Sequence, residues 1–170
     1  MKKIKATEDR QRGKSMPGYR AHLVGGLAAF SGTYLLIQTP SNTDILQVMQ
    51  LLGWCLLGSL FPDIDTKSMG RLIWYRILGA MAVVGIILNQ WAVLGFSGSL
   101  LVLSLLANHR GLFHRLWFIF LLALLGLILT DVVAPQYLFY MQQAILFFVI
   151  GAFSHILLDG VVTNLKRMRR

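Results

Sequence analysis

Phe61-Pro62-Asp63-Ile64-Asp65-Thr66 closes a long apolar run, and its reading decides how the chain folds. Pro62 has no backbone N–H to donate, so a helix arriving from the N-terminal side stops here. Asp63 and Asp65 follow, two carboxylates one residue apart. Paired acids placed directly after an apolar run mark a point where the chain leaves a hydrophobic phase.

Working outward, similar runs recur on both sides. The 170 residues are 56% hydrophobic and only 14% charged, against about a quarter charged in an average soluble domain. The fold class expected is an all-α integral membrane protein with about six transmembrane helices. The segments are approximately 21–39, 45–61, 72–88, 91–107, 116–130 and 137–158. A helix needs about 20 residues to cross a bilayer core, with roughly 17 to 25 tolerated, and the third, fourth and fifth segments sit at the lower limit. The third and fourth can therefore form a re-entrant hairpin without changing the rest of the topology. Pro40-Ser41-Asn42, Asn89-Gln90 and Asp131–Gln136 supply turns. The sixth segment is expected to stop at Asp159-Gly160, where glycine suits a helix C-terminus.

Charge orients these segments. If the N-terminus lies inside and the segments alternate, all sixteen Lys and Arg residues fall in the inside pieces. Those pieces are the arm, Pro62–Arg76, Asn108–Arg115 and the tail, and the outside turns hold no basic residue. The positive-inside rule then places both termini in the cytoplasm. The domain division expected is a basic arm over 1–20, a transmembrane domain over 21–160 and a basic tail over 161–170. The arm precedes no small-residue cleavage site, so the first segment reads as an uncleaved helix. A net charge of +9 carried by segment-flanking residues points to anionic lipid headgroups rather than nucleic acid. Trp74, Tyr75 and Trp117 read as interface-belt aromatics, and the lone Cys55 as a small buried hydrophobe.

On that map the remaining ionisable residues collect in one slab. His22 opens the first segment from the inside. Asp63 and Asp65 end the second, His109 and His114 lie between the fourth and fifth, and His155 and Asp159 close the sixth. His155 and Asp159 are four apart on one helix and share a face. Each motif alone has a bland explanation: a solvated turn, an interfacial histidine, an intrahelical hydrogen bond. Their joint placement does not, because ionisable groups near a membrane are costly unless paired. Imidazole and carboxylate together suit zinc, manganese or iron. Seven such groups exceed what one tetrahedral ion needs. Either some act as supporting groups or as a general base, or two ions are bound. Arg110, inside the histidine motif, is placed to steady an anion.

His22, Leu60-Phe61-Pro62-Asp63-Ile64-Asp65, His109-Arg110-Gly111-x-x-His114 and His155-x-x-x-Asp159, in that order, resemble the YdjM-like family of inner-membrane proteins. The resemblance runs from about His22 to Asp159 and implies a membrane-bound metal-dependent hydrolase of the cell inner membrane. The expectation is a site with Asp63, Asp65, His109, His114, His155 and Asp159 as metal ligands, and Arg110 and His22 as catalytic groups, His22 being either ligand or base. One or two divalent ions, zinc or manganese, would be the cofactor. Membrane lipids are the expected partners, and a phosphoester or lipid-linked molecule the expected substrate. Two other readings stay open: a metal transporter or sensor, and a scaffold whose metal is a structural clamp. The segment centres offer only Ser, Thr, Gln and Cys to a transported ion, which weighs against transport.

Overall fold

A computed structural model of the chain describes residues 18–37, 44–66, 68–106 and 112–168. The expectations for the arm up to residue 17, for Pro40–Asn42, and for Lys67, His109 and Arg110 fall outside the described residues. Within them the fold is all-helical. The helices are α1 (Tyr19–Ile37), α2 (Ile45–Leu60), α3 (Met69–Ile87), α4 (Trp91–Leu106), α5 (Leu116–Val133) and α6 (Leu138–Met168). Short 3-10 turns, Phe61–Asp65 and Pro135–Tyr137, follow α2 and precede α6.

Four stretches are long and apolar enough to cross a membrane: Ile45–Asp65, Met69–Ile87, Leu116–Val133 and Pro135–Leu165. The six expected segments are all helices, but α1 and α4 do not meet that standard. α1 carries Arg20 and His22 in its first turn. At 16 residues α4 is about 24 Å long, short of a core of about 30 Å.

Local sequence accounts for the helix ends. Asp44 caps α2, its side chain accepting from Leu46 N, and Ser68 caps α3 by accepting from Arg71 N. Pro62 breaks the α2 ladder and the chain tightens into the 3-10 turn. Asn89 takes a positive φ of 53° between α3 and α4, which its short polar side chain tolerates. Two expected boundaries move. α5 continues through Asp131 to Val133, and α6 continues through Gly160 to Met168. An exposed glycine inside a helix costs only about 1 kcal/mol, and nothing in Val161–Met168 forces a break.

α1, α2 and α6 form the inner core. α2 and α6 run parallel in one register: Gln47 pairs with Gln143, Cys55 O faces Gly151, and Ser59 O faces His155, each offset by 96 residues. The helices touch backbone to backbone. A Cβ at Gly58 would collide with the Phe148 carbonyl, and one at Gly151 with the Cys55 carbonyl. Small residues permit this approach, the packing force available where lipid removes the hydrophobic one. α1 lies antiparallel to both. Cys55 Sγ donates to Gly26 O at 3.4 Å, and Phe30 meets Phe147 at 5.3 Å between ring centroids.

An aromatic cluster closes the end of the bundle where α2 stops. Phe61 meets Trp74, Phe113 and Phe148 edge-on at centroid distances of 5.2, 5.4 and 5.2 Å. Trp74 therefore departs from the expected interface role. It is buried, and its Nε1 donates to Leu57 O at 3.2 Å, satisfying a carbonyl freed at the α2 terminus. Tyr75 OH pairs with Ser104 Oγ at 3.0 Å, while Trp117 is exposed on α5 as an interfacial residue should be. The outer surface carries Leu121, Leu124, Ile128 and Val132 along α5, more than 50% exposed each, a face that suits lipid and not water.

Gly151→Ala should destabilise the protein by on the order of 3 kcal/mol, because a backbone carbonyl cannot yield as a side chain does. Gly53→Ala, which meets nothing within 4 Å, should hold or raise the midpoint of thermal unfolding in detergent.

Candidate metal centre

The α2–α6 contact delivers the first ligand. Ser59 lies one residue beyond Gly58, and its carbonyl is one of those left free at the α2 terminus. His155, one turn beyond Gly151, donates Nδ1–H to Ser59 O at 2.7 Å. That bond assigns the tautomer and leaves Nε2 with its lone pair, the arrangement a metal-binding histidine requires. His155 is fully buried.

Four other side chains converge on this nitrogen. From α1, His22 stacks on His155 with ring centroids 3.7 Å apart and planes 15° from parallel. From the 3-10 turn, Asp63 Oδ1 lies 3.9 Å from His155 Nε2. Asp159, one turn on along α6, places Oδ2 at 3.8 Å. His114 Nε2 approaches Asp159 Oδ2 at 3.8 Å, and His22 Nε2 approaches Asp159 Oδ1 at 3.6 Å. These atoms form two overlapping groups able to hold a metal ion, His22–Asp63–His155 and His114–His155–Asp159.

The distances exceed hydrogen-bonding range, which ends near 3.2 Å. Two donors each about 2.1 Å from a common ion would lie roughly 3–4 Å apart, so the spacing fits shared coordination. Hydrogen bonding agrees: His22 Nδ1, both ring nitrogens of His114, His155 Nε2 and Asp159 Oδ1 are buried without a hydrogen-bond partner. Leaving such groups unsatisfied costs about 1–3 kcal/mol each, a cost that a bound cation lowers. The carbonyl end of α2 faces the cluster and adds partial negative charge. The side chains of Asp63, His114 and Asp159 keep 16–19% exposure, so the cluster is open on one side.

Of the residues expected at the site, His22, Asp63, His114, His155 and Asp159 are brought together. Asp65 is buried on the same turn as Asp63 but joins neither group. In a 3-10 turn of about three residues per turn, positions i and i+2 point in different directions.

Three supporting residues escaped the sequence reading. Thr66 Oγ1 lies 3.2 Å from Asp63 Oδ1 and can orient that carboxylate. Its signal was legible, a hydroxyl residue three positions after an acid at a helix end. Phe113 is fully buried in the aromatic cluster and anchors the turn that presents His114. Its signal was an apolar pair, Leu112-Phe113, inside a connection otherwise rich in polar residues. Ser59 acts through its carbonyl, which no residue pattern advertises.

The fold and site define a polytopic, all-helical membrane protein with a buried His/Asp cluster able to hold a metal. The family model for the YdjM inner membrane protein matches residues 16–164, and the chain belongs to that family and to the inner membrane. No curated protein and no solved structure matches the chain.

If the cluster binds Zn²⁺, the metal should raise the midpoint of thermal unfolding, by about 2.7 kcal/mol equivalent at a hundredfold excess over Kd. His155→Ala should abolish the increment.

Proposed function

We propose that this protein is a metal-dependent hydrolase working at the cytoplasmic face of the inner membrane, on a phosphoester of a lipid or lipid-linked molecule. The observation that carries the reading is the cluster itself: five N and O side chains, buried donors without hydrogen bonds, and an exposed rim. Zinc or manganese fits the donor set, and a divalent ion so held acidifies water and polarises a phosphoryl oxygen. The chain's own residues do the rest. Ser59 O holds the proton on His155 Nδ1 and keeps Nε2 free. Thr66 orients Asp63, and Phe113 holds His114 against the cluster. The partly exposed carboxylates of Asp63 and Asp159 lie where a proton can pass to or from an entering water. Water adds across the P–O bond, the proton ending on the leaving oxygen. Arg110 remains the proposed partner of the anionic substrate, on its position in the histidine motif.

Geometry along α6 supports a substrate at headgroup depth. Thirty-one helical residues extend about 46 Å, some 16 Å more than the hydrocarbon core. With Leu138 at one boundary, the other falls near Leu157, between His155 and Asp159. We further propose six membrane passes with both termini cytoplasmic. All sixteen Lys and Arg residues then lie inside, and parallel α2 and α6 suit an even number of reversals between them.

A second reading has its own support. The five donors come from α1, the 3-10 turn, the residue 112–115 turn and α6, so a metal there would also tie the bundle together. A purely structural clamp would lose stability on metal removal without any activity to lose.

Detergent-purified protein supplied with fluorescent phosphatidylglycerol in mixed micelles should release a water-soluble phosphate product. Asp63→Ala and His155→Ala should abolish both bound metal and turnover; variants that keep both would sink the hydrolase reading. Thr66→Val should weaken metal affinity by about 10- to 100-fold. A green fluorescent protein fused after Arg170 should fluoresce, and alkaline phosphatase fused there should stay inactive.

A further inference from the structure

Asp159 presents its two carboxylate oxygens to different histidines. Oδ1 lies 3.6 Å from His22 Nε2, while Oδ2 lies 3.8 Å from both His114 Nε2 and His155 Nε2. A carboxylate chelating one ion turns both oxygens toward the same point. One whose oxygens face separate donors has the disposition of a bridge between two ions.

His155 adds a limit of its own. Nδ1 is committed to Ser59 O, so only the Nε2 lone pair remains, and one lone pair serves one ion. Yet His155 belongs to both candidate groups. A single ion in the His22–Asp63–His155 group leaves both buried nitrogens of His114 unpartnered. A single ion in the His114–His155–Asp159 group leaves the His22 imidazole without an ion and Asp159 Oδ1 unpartnered. Two ions would give each of the three imidazoles one ion, and each oxygen of Asp159 a partner.

We infer that the cluster is a two-metal centre bridged by Asp159, with His22 and Asp63 completing one site and His114 and His155 the other. The inference rests on the metal-dependent reading and specifies its cofactor. Each ion then has three protein ligands, one of them shared, and keeps an open position. His22 and His155 stack across the divide at 3.7 Å, which keeps the two sites close without a common nitrogen. Two-metal sites hold their ions about 3.5–4 Å apart, the separation that lets one substrate oxygen contact each. Such a pair suits a phosphoester, whose attacking and leaving oxygens each require stabilisation.

The test uses the full chain in detergent, stripped with chelator and titrated with Mn²⁺ alone. Bound manganese is counted by elemental analysis after desalting, and electron paramagnetic resonance reads the coupling between ions. The wild type should bind about two ions per chain and give an exchange-coupled spectrum. Asp159→Asn should lose the coupled signal and bind its second ion at least about tenfold more weakly. His114→Gln, on a different element, should lose coupling in the same way, with circular dichroism and gel filtration confirming that both variants fold. One ion per wild-type chain with an isolated-ion spectrum overturns the bridge and leaves the metal-dependent reading standing. Coupling that survives in Asp159→Asn also overturns the bridge. A chain that retains no manganese overturns both.

Discussion

The hydrogen bond from His155 Nδ1 to Ser59 O is the contact on which the site depends, and it exists because two glycines let α2 and α6 meet backbone to backbone. A side chain at Gly58 or Gly151 would hold the helices apart and lift His155 away from the α2 terminus. At the distance the glycines permit, one free carbonyl accepts from His155, and Trp74 of α3 donates to another. A helix end that would leave carbonyls unpaired in an apolar setting is thereby satisfied. The same hydrogen bond selects the histidine tautomer. Packing and chemistry thus share one contact.

From that contact the rest of the architecture follows in layers. The constant offset between α2 and α6 runs from the Gln47–Gln143 pair to His155, so the site sits at one end of a parallel helix pair. α1 fits antiparallel against both and brings His22 to the same end. The 3-10 turn produced by Pro62 aims Asp63 inward, while aromatic packing around Phe61 and Phe113 holds the turns that carry Asp63 and His114. α3, α4 and α5 contribute packing and lipid-facing surface but none of the clustered donors. That division explains why polar groups are dense at one end while the exterior is almost wholly apolar.

A donor set of three imidazoles and two carboxylates, partly buried and open on one side, gives membership of the YdjM inner membrane protein family a physical content. The atoms stand too far apart to satisfy one another and at a spacing suited to an ion. In a membrane setting such an arrangement is expensive unless something binds there. The proposal of chemistry at headgroup depth rests on the exposed rim and on the position of Asp159 late in α6.

Much of this was legible without coordinates. Hydropathy and the gathering of basic residues at the ends of apolar runs implied a helical membrane protein, because a bilayer imposes length and charge rules on any chain that enters it. The positions of His22, Asp63, His114, His155 and Asp159 near helix ends suggested one slab, and they do meet. Other features were decided only by tertiary packing. Asp65 parts from Asp63 through the geometry of the 3-10 turn, and Trp74 leaves the interface to fill the core. α6 ignores Gly160, since a local preference worth about 1 kcal/mol does not stop an uninterrupted helix. Ser59, acting through a backbone carbonyl, has no side-chain signature at all. Residue types and spacing determined which groups could reach the boundary. Close approach of two helices across 96 residues decided which of them touch, because contact between distant segments depends on shape, which no local pattern encodes.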